Sequence, residues 1–182
     1  SVEQTNDAVK SVTPLKDSSL TTYYAIYSRT ATLSYQGNNS TGGSTSNTTG
    51  TQKFVASQSA AQSLSLTLAT NGFSRTGYSF SKWAAGSASG TQYAASASFT
   101  FPNTAWNTSK TYNMYAIWTA NTYTISYAGM DGATHGASHP TSGTFDAAFT
   151  VNNPSKTGYT FTGWRITGMD GVTHTYGTST TT

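Results

Sequence analysis

A nine-residue segment that occurs twice constrains the fold of this chain more than any other feature. Residues 75–83 and 156–164 both begin with a basic residue and Thr-Gly, and both then place Tyr, Phe and Trp at the same three positions. In an extended segment the Tyr and the Phe lie on one face, whereas a turn or bulge is needed to redirect the Trp. The Thr-Gly step favours a strand entry, because glycine accepts the positive φ that tight turns often require. The sequence therefore predicts two related β modules.

The composition favours a secreted, strand-rich protein. Charged residues make up 8% of the chain, against about 25% in a typical soluble domain. Aromatic residues make up 13%, which excludes a disordered tract. The charges that give the net +3 are scattered singly, so no basic patch for nucleic acid is present. Cysteine is absent, and there is no run of about 20 apolar residues that would span a membrane. We expect a mature secreted form or an excised piece of a longer protein.

The first half of the chain contains a polar leader followed by β-prone segments. Residues 1–20 are expected to form a tail, or alternatively to dock on a neighbour. Residues 21–28 and 31–35 are predicted strands, and both faces of the former are expected to be at least partly buried. Residues 38–51 are nearly all Asn, Ser, Thr and Gly, which predicts a long exposed loop. The later half of residues 53–70 is predicted as a strand because leucines alternate there.

An alignment of the two modules reveals a mismatch at their ends. A predicted strand over residues 111–118 closes the first module with Tyr-Ala-Ile-Trp, and the opening strand of the second module follows at 122–127. Tyr-Ala-Ile-Tyr at residues 24–27 matches that closing segment and also precedes an opening strand. After the second aromatic segment, residues 175–182 are Thr-rich and contain no such match. The second module therefore lacks its own final strand.

The predicted organisation has four parts. They are an N-terminal tail (1–20), an orphan closing strand that is a donor-strand candidate (21–28), a first repeat module (31–120) and an incomplete second module (122–182).

These motifs resemble the Listeria-Bacteroides repeat, also called the internalin B-repeat, which occurs in tandem on bacterial surface proteins. The resemblance rests on the Tyr-Thr-Ile-Ser-Tyr opening strand (123–127), the central segment (154–164) and the Tyr-Ala-Ile-Trp closing strand (115–118), and it covers roughly residues 21–170. It implies a mainly β fold of two tandem small β-grasp-like modules. It also implies an extracellular place, secreted or on the bacterial surface, and adhesion or spacing without catalytic residues.

The missing strand has three explanations. The chain is a slice of a longer repeat array, or residues 21–28 of one molecule complete the second module of another, or they return to their own second module. An unfinished sheet leaves unpaired N–H and C=O groups beside an apolar groove, which a matching strand fills. Exchange between molecules joins them head to tail into a filament, and so a homopolymer is expected in that case. The expected interface consists of Tyr23, Tyr24, Ala25, Ile26, Tyr27, Tyr159, Phe161 and Trp164.

Two loops of related sequence carry Gly-Met-Asp-Gly-x-Thr-His, at residues 129–135 and 168–174. Asp-Gly is a strong turn signal, so two similar turns are expected. The alternative is a metal site, because carboxylate and imidazole groups bind zinc or similar ions. Its ligands would be Asp131, His135, Asp170 and His174. Nothing in the sequence brings the two loops together, and no metal or other cofactor is expected.

The sequence contains no catalytic constellation. Glu3 is the only glutamate, the aspartates are separated, and no Gly-x-Ser-x-Gly segment is present. Two classes of function remain. A structural protein would be a subunit or segment of an extracellular filament, stalk or adhesin. A binding module would act as a monomer and present loops 38–51, 84–97 or 128–142 to a glycan or a host surface protein.

Overall fold

The computed structural model describes residues 24–55, 62–102, 111–167, 173–176 and 180–181. All of their regular structure is β, which confirms the predicted mainly β class, whereas the β-grasp detail stays a prediction. The predicted tail at residues 1–20 and Tyr23 lie outside the described residues. The fifteen strands are β1 Ile26–Gln36, β2 Gly42–Gly43, β3 Thr48–Val55, β4 Leu64–Thr67, β5 Phe73–Ser74, β6 Tyr78–Ala85, β7 Gln92–Tyr93, β8 Ser98–Phe101, β9 Thr111–Ala120, β10 Thr122–Thr124, β11 Ser142–Thr144, β12 Thr150–Val151, β13 Trp164–Thr167, β14 Thr173–Tyr176 and β15 Thr180–Thr181.

A five-stranded sheet in the order β3-β1-β9-β6-β7 forms the first module. The closing strand β9 lies in its middle, parallel to β1 and antiparallel to β6. Met114 and Ala116 alternate along β9 and are fully buried, because one face of the strand covers the core. The strand predicted over residues 111–118 is therefore confirmed.

The β4–β8 ribbon covers this sheet and completes the core. Two of the alternating leucines predicted as a strand lie in β4 and the third follows directly after it, and Leu66 and Leu68 are buried with Phe99 and Phe101 of β8. Burial of each such side chain stabilises the fold by about 1.5–3 kcal/mol. The cluster consists of Ala31, Leu33, Tyr35, Leu66, Leu68, Trp83, Phe99, Phe101, Met114 and Ala116.

A bulge in β6 turns the tryptophan of the aromatic segment into this core. The register with β9 shifts between Phe80 and Lys82, and Trp83 is completely buried. Its indole Nε1 donates a hydrogen bond to the Ala69 carbonyl over 2.9 Å. Tyr35 packs on the same indole with ring centroids 4.7 Å apart. The bulge expected from the spacing of Tyr, Phe and Trp is confirmed.

The second module repeats three of the strand pairings of the first. β10 pairs with β11 as β1 pairs with β3, and β12 pairs with β15 as β4 pairs with β8. Trp164 of β13 lies opposite Tyr176 of β14, just as Trp83 lies opposite Tyr93 of β7. β14 is thus the counterpart of β7. Among the described residues, no strand of the second module occupies the place of β9.

The N-terminal region differs from the prediction of two separate strands. Residues 24–28, the described part of the predicted strand 21–28, run into one continuous strand, because Ile26 and Tyr27 already pair with β3. β9 pairs with the other edge of β1 only from Thr32 onward. Tyr24 is 58% and Tyr27 is 53% exposed, so the expectation that both faces are partly buried was wrong for this chain.

The predicted loop over residues 38–51 was also partly wrong. It contains β2, and its last four residues begin β3, which pairs antiparallel with β1. Threonine is polar but β-branched, and it therefore suits a half-buried strand. The Thr48 hydroxyl shares a 2.9 Å hydrogen bond with the phenol of Tyr35, which ties this stretch to the core.

Candidate functional site

The first module shows what a closing strand does in this fold. In β9, Ala116 lies opposite Trp83, and Trp118 lies opposite Phe80 with ring centroids 6.0 Å apart. The indole Nε1 of Trp118 donates to the carbonyls of Gly37 and Asn38, both over 3.0 Å. The closing strand therefore pairs through its backbone on both edges, contributes side chains to the core, and places the Trp118 ring against Phe80.

The second module has a groove where the first has β9. Its volume is about 780 Å³, and it lies between residues 124–130, which continue β10, and residues 159–167, which include β13. Phe149 and Val151 also line it. Because β10 and β13 are the counterparts of β1 and β6, the groove lies between the two segments whose counterparts pair with β9 in the first module.

Trp164 lies in this groove and is less enclosed than Trp83 is in the first module. Its ring is 5.6 Å from Tyr127 and 5.2 Å from Phe161, but it is only partly buried, whereas Trp83 is completely buried. The Nε1 of Trp164 is buried and has no hydrogen-bond acceptor among the described residues. A buried donor without a partner costs about 1–3 kcal/mol. The second module therefore forms the Trp site without all of its contacts.

Tyr127 forms the other wall of the groove, at the position that Tyr35 holds in the first module. Its hydroxyl donates to the Pro140 carbonyl over 2.9 Å. Burial raises the pKa of Tyr127 above the ordinary 10.0, because the charged phenolate loses hydration. The hydroxyl therefore stays protonated and able to donate through neutral and mildly alkaline pH.

The predicted interface residues lie in two places. Tyr159, Phe161 and Trp164 line the groove, whereas Tyr24, Ala25, Ile26 and Tyr27 lie at and just before the start of β1. The exposed large hydrophobic side chains among the described residues are Tyr24 (58%), Ile26 (47%), Tyr27 (53%) and Tyr159 (73%). The exposed apolar surface thus concentrates at the N-terminal segment and at the start of the second aromatic segment.

A contact between the modules is built on the basic-Thr-Gly-Tyr turn of the first module. The ring of Phe145, from the second module, lies over Gly77 so closely that an added Cβ would be 2.4 Å from it. The same ring packs edge-on against Tyr78 at 5.5 Å. The linker contributes as well, since the backbone N–H of Asn121 donates to the Gly77 carbonyl over 2.9 Å. We call this contact the module junction.

Substitution of Gly77 tests the module junction in dilute solution. Gly77→Asn keeps the positive φ of 77°, which asparagine tolerates, but its side chain collides with Phe145. We expect a loss of about 1–3 kcal/mol in the free energy of unfolding, measured by urea denaturation. The matched control is Gly158→Asn at the equivalent turn, where no atom lies within 4 Å of an added Cβ. A change within about 0.5 kcal/mol is expected there. Equal losses in the two variants would contradict the contact.

The loop residues proposed as metal ligands are only partly described. The expected Asp131-Gly132 turn is present, with a 2.7 Å hydrogen bond from the Ala133 N–H to the Met130 carbonyl. The ring of His135 stacks on the ring of His139 with centroids 4.5 Å apart. No three metal-ligating side chains converge among the described residues. Asp170 and the side chain of His174 lie outside them, so the four-ligand site stays a prediction.

Sequence reasoning missed Tyr127 and Phe145 as parts of the site. Tyr127 was detectable, because it occupies the same position after the opening strand as Tyr35. Phe145 carried no such signal, since its counterpart in the ladder of the first module is Gln52.

No helix in the described part of the chain is long and apolar enough to cross a membrane.

The sequence comparison agrees with this two-module arrangement. The Listeria-Bacteroides repeat domain matches residues 32–117 and again residues 123–182. The first match ends inside β9, and the second begins inside β10 and covers the other strands of the second module. Comparison with curated proteins and with solved structures gave no match. The two matches span most of the chain, and this protein therefore belongs to the Listeria-Bacteroides repeat family, of which it carries two copies.

Proposed function

We propose that this protein is a non-enzymatic structural or adhesive repeat protein of the bacterial exterior, a subunit or segment of a surface filament, stalk or adhesin. Its family of bacterial surface repeats supports the extracellular place. We further propose that residues 21–28 of one molecule, the donor segment, complete the second module of the next. The observation that carries this proposal is the groove of about 780 Å³ in the place where the first module holds β9.

The side chains of the donor segment fit the register of that groove. Transfer of the β6–β9 register to the second module places Ala25 opposite Trp164 and Tyr27 opposite Phe161. The small alanine leaves room for the indole, as Ala116 does in the first module. The tyrosine supplies an aromatic cross-strand pair, which stabilises a sheet by about 0.2–1 kcal/mol.

The donor segment must leave a weaker arrangement to enter the groove. Residues 26–29 pair with β3 on one edge, and the guanidinium of Arg29 donates to Gln52 Oε1 over 3.0 and 2.7 Å. In the groove the same segment would pair on both edges and would half-bury Tyr24, Ile26 and Tyr27, just as their counterparts in β9 are half-buried in the first module. Full burial of one large apolar side chain contributes about 1.5–3 kcal/mol, similar to the net value of one charged hydrogen bond, so the cover over three such side chains and the second backbone edge together offset the loss of the two bonds from Arg29. The exchange is therefore favourable once molecules meet at sufficient concentration.

The donor and acceptor surfaces are different, and they belong to different modules. A contact of this kind is heterologous, so each added molecule presents a new groove and a new donor segment. Such assembly proceeds head to tail and yields a linear filament.

Truncation of the donor segment tests the proposal. We expect the intact chain to form concentration-dependent oligomers by size-exclusion chromatography with light scattering, and linear assemblies by negative-stain electron microscopy. A variant that lacks residues 1–28 should remain monomeric. The matched control lacks residues 1–20 only, which removes the tail and keeps the donor segment, and it should assemble like the intact chain.

An intact chain that stays monomeric at high concentration would contradict strand exchange between molecules. Monomers that retain a glycan or a host surface protein on an array would instead support the binding-module class of function.

A further inference from the structure

The basic-Thr-Gly-Tyr turn has the same local structure in both modules. The N–H of Tyr78 donates to the Arg75 carbonyl over 3.0 Å, and the N–H of Tyr159 donates to the Lys156 carbonyl over 3.1 Å. In each turn the basic side chain lies over the tyrosine ring, at 3.9 Å in the first module and 4.9 Å in the second. The two turns are therefore equivalent surfaces.

Only the first of these turns is covered. Gly77 lies under the ring of Phe145, as part of the module junction. At Gly158 nothing lies within 4 Å of an added Cβ, and Tyr159 is 73% exposed. In the first module this turn is covered by the second module. In the second module the equivalent turn is exposed.

We propose that the turn at residues 156–159 is a docking surface for the first module of a second copy of this chain. This inference rests on the proposed strand exchange and adds a second contact to it. The first module of one molecule would then lie on the turn of the next as the second module lies on the turn of the first, with Gln52 at the place that Phe145 has in the module junction.

Chain connectivity identifies the occupant. In this chain the module that rests on the first turn directly follows the closing strand β9, and Ile125 comes seven positions after Trp118. In a second copy, the first module directly follows the donor segment, and Leu33 comes six positions after Tyr27. A donor segment seated in the groove therefore delivers its own first module to the uncovered turn through a link of nearly equal length.

Two polar contacts of the module junction have counterparts in the second copy when positions are counted from the donor segment. The Asn121 N–H that bonds to the Gly77 carbonyl corresponds to the N–H of Thr30, opposite the Gly158 carbonyl. The Ser79 hydroxyl, which donates to Asn121 Oδ1 over 2.6 Å, corresponds to the hydroxyl of Thr160. Both counterparts have the chemistry that the intermolecular junction requires.

The test is Gly158→Asn in the full-length chain. Asparagine accepts the left-handed φ of 80° at this position, and in the separate molecule its side chain meets open space. We expect the concentration needed for half-maximal assembly, measured by light scattering, to rise by about tenfold or more, because the side chain holds the incoming module away. The control is Ser96→Asn, an exposed position in the first module that already has a left-handed φ of 62°, which should assemble normally.

A synthetic peptide of residues 21–29 separates this inference from the strand exchange on which it rests. The peptide carries the donor segment without a module, so it should bind the wild-type chain and the Gly158→Asn variant with equal affinity. Normal assembly of Gly158→Asn, together with normal peptide binding, would overturn the docking surface and leave the strand exchange intact. A peptide that binds neither chain would overturn both proposals.

Discussion

A chain extended at its C terminus by a copy of residues 102–120 is expected to become monomeric, with a more stable second module. β8 ends at Phe101 and β15 ends at Thr181, so the copy starts from an equivalent point and can reach the groove with the spacing of the first module. Pairing on both edges and burial of apolar side chains should contribute about 3 kcal/mol, which raises the melting temperature of a domain of this size by roughly 12–24 °C. Calorimetry and light scattering measure the two effects.

The control for this extension carries Met114→Asp and Ala116→Asp within the appended copy. These positions face the core in β9, and a buried carboxylate there is unfavourable without a partner. The control chain should retain the melting temperature and the assembly of the wild type. If the unmodified extension changes neither quantity, the groove does not accept a closing strand.

The sequence predicted those strands in which apolar residues alternate. β4, β6 and β9 have alternating large side chains, and the alignment of the repeats predicted that the second module lacks a counterpart of β9. The continuity of β1 was missed because the same alternation runs through both predicted strands, and nothing local marks whether a turn separates them. Its pairing with β3 is a long-range contact, which periodicity does not report.

The first half of β3 was missed for a different reason. Threonine and glycine dominate residues 48–51, and a polar composition of this kind is common to exposed loops and to strands with one hydrated face. Gly50 packs so closely against the Leu66 side chain that an added Cβ would be 2.6 Å away. The glycine therefore serves sheet packing here, although its residue type indicates a loop.

The candidate site was predictable only in outline. Phe161 and Trp164 followed from the repeated aromatic segment, and they do line the groove. The sequence shows that Gly77 and Gly158 are equivalent, but which of them is covered depends on the placement of Phe145 from a different module. Whether a turn is covered is therefore decided by packing between the two modules, which the repeated sequence does not report.

The two equivalent tryptophans are expected to respond very differently to truncation. Trp83→Ala removes a completely buried indole and its hydrogen bond to Ala69, so it should lower the free energy of unfolding of the first module by about 3–5 kcal/mol in urea denaturation. Trp164→Ala should cost only about 1–2 kcal/mol in dilute solution. Its indole is partly exposed, and removal of the unpaired Nε1 offsets part of the lost packing.

Addition of the donor peptide should then widen the cost at Trp164 and leave the cost at Trp83 unchanged. The peptide completes the walls around Trp164, so wild-type chains gain stability that Trp164→Ala chains cannot gain, whereas Trp83 already has β9 beside it. Trp83→Phe is the control for the hydrogen bond, because it keeps an aromatic ring and loses only the donor to Ala69. Equal losses of unfolding free energy for Trp83→Ala and Trp164→Ala without peptide would mean that the second tryptophan is already fully enclosed. The groove could then not accept a donor strand.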